Sequence, residues 1–289
     1  MPPPPRLLDL RAESLVAVGR LEPAAADAKA MRELAASSGR PADLAAALCR
    51  RALVQMREGD MAGAVASAAD ALAAAIRSRQ LRLEALATFR LAEAQFRATT
   101  ASREAGPTAR GAAALFAQAG DRVGEGRAHW ALAAVSSNLG DAKTTRAAAA
   151  RALRLARETG DLYGMGNALN LLAFNNPDLA AGMRLSRQAL AAFQAAGYVE
   201  RQAALTGNLG VGCIRHGLYR RALRFNLASI ALYERAGARA GLVNGAWGRA
   251  YVLFALGRRE EGRRSARRFA EFANRPEFAR FAPAAAGAL

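Results

Sequence analysis

Residues 208–223 read NLGVGCIRHGLYRRAL, and their pattern indicates two helices joined by a tight turn. Gly217 stands between two apolar stretches, and glycine readily adopts the left-handed conformation in which many helices end. After it, Leu223, Leu227 and Ile230 recur at steps of four and three residues. Those steps place the three side chains on one face of a helix. The stretch therefore predicts a helix, a turn and a second helix.

The same pattern recurs along the chain. Four pairs of glycines share one spacing of 20 residues, namely Gly39 and Gly59, Gly120 and Gly140, Gly197 and Gly217, and Gly237 and Gly257. Turn-like sequences such as Ala-Gly-Asp and Thr-Gly-Asp return about every 40 residues. A single repeat of this size cannot bury its apolar face, so neighbouring repeats are expected to stack into a solenoid. The aspartates that follow glycine are predicted to cap the next helix, and they are Asp60, Asp121, Asp141 and Asp161.

This periodicity predicts the organisation of the whole chain. We expect six repeats, at residues 40–79, 80–120, 121–160, 161–197, 198–237 and 238–274. Residues 6–39 are expected to add an imperfect helix pair after a stiff proline-rich leader, residues 1–5, and residues 275–289 to form a loose tail. Gly106-Pro107 predicts a helix break or a longer loop in the second repeat, because proline interrupts a helix interior. In the fourth repeat, Asn175-Asn176-Pro177-Asp178 replaces the middle glycine.

The composition supports an all-α fold. Alanine provides 76 of the 289 residues, whereas aromatic residues amount to 6%. Alanine is the strongest helix former and a small core residue, so closely packed helices are expected. The composition excludes a β-sandwich, a disordered tail and a disulfide scaffold.

The stretch 208–223 resembles the tetratricopeptide repeat, in which Asn-Leu-Gly on the first helix precedes a glycine-centred turn. Asn170-Leu171-Leu172 and Asn138-Leu139-Gly140-Asp141 match parts of it. The 40-residue period is similar to the longer variety found in bacterial MalT-like and LuxR-type regulators and beside cyclase domains. The resemblance covers about residues 40–274. It implies a right-handed α-solenoid that holds an extended peptide on its concave side.

No motif predicts catalysis, a cofactor or a metal. Lys143-Thr144 lacks the glycines of a phosphate-binding loop, and neither His129 nor His216 has a partner at metal-ligand spacing. Cys49 and Cys213 lie 164 residues apart and are expected to be buried thiols, which favours a reducing, cytoplasmic setting. An interrupted N-terminus and the lack of a long apolar run argue against a signal peptide and a membrane span. The sequence therefore predicts a protein that is not an enzyme.

The first helix of each repeat is expected to line the concave side. Asparagine offers a donor and an acceptor to a peptide backbone, arginine binds carboxylates, and tryptophan supplies rigid apolar area. The candidate groove residues are Arg90, Arg97, Arg127, Trp130, Asn138, Asn170, Asn208, Arg215, Asn244 and Trp247. The alternative is that the asparagines bond to neighbouring helices and that the tryptophans belong to the core.

The formal charge of +17 is concentrated toward the C-terminal end, where arginines cluster on one predicted helix. These residues are Arg259, Arg263, Arg264, Arg267 and Arg268. Such a basic outer face keeps a terminal repeat soluble, or it binds nucleic acid or another acidic partner. A coding bias toward arginine and alanine is a further explanation.

The predicted function is that of a non-catalytic scaffold or regulatory module that binds a peptide or protein, with acidic partners included. The alternatives are a basic repeat protein that binds nucleic acid and an orphaned regulatory half of a cyclase or transcriptional regulator. Oligomerisation through open solenoid ends is also an option.

Overall fold

The computed structural model describes residues 3–99 and 102–273, except for the side chains of Arg239, Ala240 and Ala273. All regular structure in this part of the chain is α-helical, as predicted. Its 14 helices are α1 (Pro5–Ala17), α2 (Leu21–Ser38), α3 (Pro41–Glu58), α4 (Met61–Ser78), α5 (Leu81–Ala98), α6 (Ala105–Gln118), α7 (Arg122–Asn138), α8 (Ala142–Thr159), α9 (Leu162–Phe174), α10 (Leu179–Ala195), α11 (Val199–Arg215), α12 (Tyr219–Arg235), α13 (Arg239–Ala255) and α14 (Arg259–Ala273). The predicted tail, residues 275–289, lies outside the described residues.

The chain forms two compact units, Met1–Ala196 with α1 to α10 and Gly197–Leu289 with α11 to α14. We call them the N-terminal and the C-terminal unit. Within each unit, every helix packs against the next one along the chain. Each odd-numbered helix also contacts the next odd-numbered helix, and no two successive even-numbered helices among those described make a comparable contact. The odd-numbered helices therefore form the inner layer of each unit.

Glycine ends many of the helices, as the repeat pattern predicts. Gly59 has a φ of 98° and Gly160 a φ of 69°, in the left-handed region that costs glycine little. Arg79 adopts the same conformation, with a φ of 55°, at the turn where the periodic glycine is missing. Asp60 and Asp121 each accept a hydrogen bond from a backbone amide in the first turn of the next helix.

The two irregular repeats differ from the others in their middle turns. Ala105 begins α6, so Pro107 lies in the first turn, where its missing amide proton leaves no hydrogen bond unmade. In the fourth repeat, Asp178 caps α10 by accepting hydrogen bonds from the amides of Ala180 and Ala181. Similarly, α1 begins at Pro5, because proline is tolerated at the first helical position.

Small residues allow the helices to approach closely. A β-carbon built on Gly126 of α7 would lie 3.2 Å from Cβ of Leu155 on α8. Cys49 and Cys213 are buried, as expected, and burial raises the pKa of the Cys49 thiol to about 12. Within residues 3–99 and 102–273, no helix is both long enough and apolar enough to cross a bilayer.

Candidate functional site

A cavity of about 780 Å³, open to solvent, lies on the inner layer of the N-terminal unit. Side chains from α1, α3, α5 and α7 line it, and α6 contributes Phe116. Leu83, Leu86 and Phe89 of α5 form an apolar floor. Charged side chains surround this floor, and they are Arg6, Asp9, Glu13, Arg50, Arg82, Arg90, Asp121 and Arg127. We call this space the inner-face cavity.

Arg50 of α3 is the most deeply buried arginine of the cavity, with 7% of its side chain exposed. Its Nε donates to Oδ1 of Asp9 at 2.7 Å, and its Nη2 donates to Oε2 of Glu13 at 3.2 Å. Its Nη1 is buried and has no hydrogen-bond partner. An unpaired donor on a buried cation is costly, so this atom marks a place where an acceptor would be favourable.

Arg90 and Arg97 of α5 share one buried carboxylate. Arg90 donates to Oε2 of Glu93 and Arg97 donates to Oε1, both at 2.9 Å. Glu93 is 2% exposed. The two arginines also lie over the rings of Phe89 and Phe96, with their Cζ atoms 5.2 and 5.5 Å from the centroids. These contacts hold both guanidinium groups in place.

Arg127 of α7 connects three helices. Its Nε and Nη2 donate to the two carboxylate oxygens of Asp161 at 3.0 and 3.2 Å. Its Nη1 lies 4.0 Å from Oε1 of Glu13 on α1, and its Cζ lies 5.5 Å from the ring centroid of Tyr163. The side chain of Asp161 makes no capping hydrogen bond to α9, so the predicted cap at this position was wrong. Both of its carboxylate oxygens bind Arg127 instead.

Three arginines of the cavity lie on the inner helices of successive repeats. Arg90 follows Arg50 by one repeat of 40 residues, and Arg127 follows Arg90 by 37 residues, about one helical turn short of the next repeat. We call them the arginine row. Burial alone would raise the pKa of Glu13, but the positive charges of the arginine row hold that pKa below its ordinary value. Glu13 is therefore ionised at neutral pH.

The arrangement is suited to binding an anionic group beside apolar side chains. Guanidinium groups form forked, charge-assisted hydrogen bonds with carboxylates. None of the described residues that line the cavity is a serine, threonine, cysteine, histidine or lysine. Among all described residues, no group of three or more histidine, cysteine, aspartate or glutamate side chains is placed to hold a metal ion.

The structure separates the predicted groove residues of the N-terminal unit into three environments. Arg90 and Arg127 line the inner-face cavity, and Arg97 pairs with Glu93 beside it. Trp130 exposes 8% of its surface and packs edge-on against Phe96, with ring centroids 5.8 Å apart. This burial against Phe96 of α5 agrees with the alternative expectation, in which the tryptophan belongs to the core. Asn138 is exposed at the end of α7, and Asn170 is half-buried on α9.

The C-terminal unit holds the remaining predicted groove residues. On α11, Asn208 is half-buried and Arg215 is exposed. On α13, Asn244 is exposed, and Trp247 exposes 48% of its surface. The Trp247 ring stacks on Tyr251 one turn later, with centroids 6.1 Å apart and an interplanar angle of 23°.

The arginine cluster of α14 faces solvent. All five predicted arginines are exposed, while Phe269 and Ala266 of the same helix are buried. Arg263 pairs with Glu260 in its own helix, and Arg268 lies 3.8 Å from Glu234 on α12.

Sequence reasoning missed the residues that organise the inner-face cavity, namely Asp9, Glu13, Arg50, Glu93 and Asp161. Two signals for them exist in the sequence. Arg50 precedes Arg90 by one full repeat, and Glu93 stands three residues after Arg90 and four before Arg97. That last spacing is typical of ion pairs on one helix face. No sequence pattern links Glu13 to Arg127, which lies three repeats away.

The fold is similar to that of helical-repeat proteins of the tetratricopeptide type. A Rap protein complexed with competence and sporulation factor superposes with a TM-score of 0.69 at 12% identity, covering 97% of this chain and 85% of that one. NprR in complex with its cognate peptide NprX gives 0.66 at 12% identity, covering 97% and 82%. A signal transduction ATPase with a tetratricopeptide repeat sensor from Pyrococcus horikoshii gives 0.62 at 12% identity, covering 94% and 42%.

At this level of identity the likeness concerns the fold. No protein-family model matches the chain, and no curated protein matches it significantly.

Proposed function

We propose that this protein is a regulatory module that binds a peptide, or an extended segment of a protein, in the inner-face cavity of its N-terminal unit. The observation that carries the proposal is the buried Nη1 of Arg50, which lacks an acceptor beside a cavity with an apolar floor. A cavity of about 780 Å³ is within the usual range for ligand sites. Two helical-repeat proteins of similar fold are described as complexes, the Rap protein with competence and sporulation factor and NprR with its cognate peptide NprX.

The proposed module is non-catalytic. The charged groups at the cavity are engaged in ion pairs, such as Arg90 with Glu93 and Arg127 with Asp161. These pairs fix the side chains against one another, whereas a general acid or base has to reach the proton that it transfers. The two free, buried thiols support a reducing, cytoplasmic setting.

Filling the cavity tests the proposal. Ala46 of α3 is half-buried and lines the inner-face cavity, so Ala46→Trp places an indole ring in the space for a ligand. Short random peptides displayed on phage are selected against the immobilised full chain, and the affinities of enriched peptides are measured by fluorescence polarisation. We expect Ala46→Trp to weaken binding at least about tenfold.

The matched control is Ala150→Trp, which adds the same ring to an exposed position on the outer helix α8. We expect this variant to bind the selected peptides like the original chain. Circular dichroism of both variants confirms that the helices are intact. Equal binding by all three proteins, or no enrichment at all, would show that the cavity is not a peptide site.

A second candidate function is nucleic-acid binding by the outer face of the C-terminal unit. Arg259, Arg263 and Arg267 of α14 are exposed and follow one another at four-residue steps, about 6 Å apart along the helix axis. Arginines that neutralise phosphates release counterions, so the binding they support weakens steeply with salt.

The triple substitution Arg259→Gln, Arg263→Gln and Arg267→Gln tests this candidate in a gel shift with duplex DNA and RNA at several salt concentrations. We expect weaker binding with a shallower salt dependence. The control removes three exposed arginines from outer helices of the N-terminal unit, Arg77→Gln, Arg110→Gln and Arg157→Gln. Equal losses of nucleic-acid affinity in both triple variants would mean that only the net charge of the protein matters. If the original chain does not shift the nucleic acid in the gel, this function is excluded.

A further inference from the structure

We propose that Glu13 of α1 occupies the place of a ligand carboxylate in the inner-face cavity, so that the peptide accepted there is acidic and displaces Glu13 when it binds. This inference rests on the proposed function. Beyond that function, it specifies that the bound peptide is negatively charged and that Glu13 competes with the peptide for the site.

Glu13 of α1 is a carboxylate that lies near two members of the arginine row. One of its oxygens accepts a hydrogen bond from Arg50 of α3, and the other lies 4.0 Å from Nη1 of Arg127 on α7. A single carboxylate thus reaches two arginines that are separated by two repeats. An acidic side chain of a bound peptide would make the same two contacts.

The charges around the arginine row favour an anion in the place of Glu13. Arg90 and Arg127 each have a carboxylate partner of their own, Glu93 and Asp161. Arg50 depends on α1, through Asp9 and Glu13. Loss of Glu13 without replacement would leave Asp9 as the carboxylate that pairs with the buried Arg50, and its Nη2 would lose the acceptor that Glu13 provides. A buried cationic donor without an acceptor is unfavourable.

The Glu13 carboxylate does not satisfy every donor of Arg50. Nη1 of Arg50 is buried without an acceptor even though Glu13 is in place. A ligand carboxylate next to Arg50 supplies such an acceptor and forms charge-assisted bonds. The apolar floor of Leu83, Leu86 and Phe89 lies beside these arginines. The matching ligand is therefore an acidic residue with apolar neighbours.

Glu13 is held loosely enough to be displaced. It exposes 39% of its side chain, and its distance of 4.0 Å from Arg127 is at the outer limit of an ion pair. Its helix, α1, buries three residues, Leu8, Ala12 and Val16, whereas α3 buries ten. Partly exposed ion pairs contribute little stability, so a better-placed anion can replace this one.

The charge of the selected peptides is the first test. The peptides that bind the original chain and bind Ala46→Trp more weakly are sequenced. We expect them to contain an excess of aspartate and glutamate next to apolar residues. Each enriched peptide is then synthesised with free and with amidated C-termini. Retained binding of the amidated form assigns the carboxylate to a side chain, and lost binding assigns it to the chain terminus; both outcomes support an anionic ligand.

Removing the internal carboxylate is the second test. Glu13→Gln removes the competing negative charge, and we expect the affinity for an acidic peptide to rise about tenfold. The comparison peptide carries Asn and Gln in place of Asp and Glu, and we expect its affinity to change little. The control Glu22→Gln removes one exposed negative charge from the neighbouring helix α2. We expect its affinity to stay within about twofold, since exposed charges are screened by salt.

The results distinguish this inference from the proposed function. Enrichment of neutral or basic peptides, or an affinity that falls or stays constant in Glu13→Gln, would overturn the inference and leave the peptide site intact. Absence of any cavity-dependent enrichment would overturn both. Should Glu13→Gln unfold, Glu13→Asp keeps the charge but draws it back from Arg127, and a smaller gain in affinity is then expected; no gain contradicts the inference.

Discussion

Replacing Glu93 with alanine is expected to lower the free energy of unfolding by about 3 kcal/mol. Glu93 is 2% exposed and is the carboxylate that Arg90 and Arg97 share, and the side chains of these arginines expose 12% and 20%. Its removal takes the shared carboxylate away from two guanidinium groups that are largely buried. For a protein of this size, we expect the melting temperature to fall by about 6 to 12 °C in circular dichroism.

Two further variants identify the cause of that loss. Glu93→Gln keeps the volume of the side chain and removes its charge, so a loss close to that of Glu93→Ala assigns the effect to electrostatics. Glu33→Ala removes an exposed carboxylate whose pair with Lys29 spans 3.9 Å, and it is expected to cost less than about 0.5 kcal/mol. If Glu93→Ala and Glu33→Ala melt at the same temperature, the buried ion pair contributes no stability.

Replacing Phe193 with alanine is expected to cost about 4 kcal/mol, because its ring is 1% exposed in the core between α9 and α10. Truncation leaves a cavity that the surrounding helices close only in part. The measurement is denaturant unfolding followed by circular dichroism. Phe174→Ala in the same repeat is the control, since Phe174 is 40% exposed and its loss should cost about 1 kcal/mol or less.

Phe193 also explains why α9 carries glycine at position 166. A β-carbon on Gly166 would lie 2.6 Å from Cε1 of Phe193, so Gly166→Ala should destabilise the original chain by about 1 to 2 kcal/mol. In the Phe193→Ala background the same substitution should stabilise by up to about 1 kcal/mol, because alanine is the better helix former. An unchanged effect in the two backgrounds would mean that this contact does not require the glycine.

The repeat architecture was predictable because its signals are local. Glycine ends a helix wherever the chain needs a positive φ, as at Gly59 and Gly160, and these positions are visible as a spacing in the sequence. Alanine and apolar residues at steps of three and four mark the buried faces. The start of α6 at Ala105 also follows from a local rule, since Pro107 is tolerated in the first turn.

The site was predictable in its composition and not in its pairings. The sequence pointed to Arg90, Arg97 and Arg127 as inner-face residues, and all three lie at or beside the inner-face cavity. It did not show that Arg97 bonds to Glu93 or that Arg127 takes both oxygens of Asp161. It also left open whether Trp130 lies in a groove or in the core, and in the structure this side chain is buried and contacts Phe96.

By itself, the sequence determined an all-α repeat, the positions of most turns and the residues on the helical faces, since each depends on interactions within a few residues. Only the tertiary structure decided which inner-face charges meet. Glu13 and Arg127 lie 114 residues apart along the chain and 4.0 Å apart in space, because the stacking of the inner helices brings α1 near α7. Ion pairs across a superhelix depend on its curvature, which is the sum of small rotations between repeats and leaves no mark in the sequence.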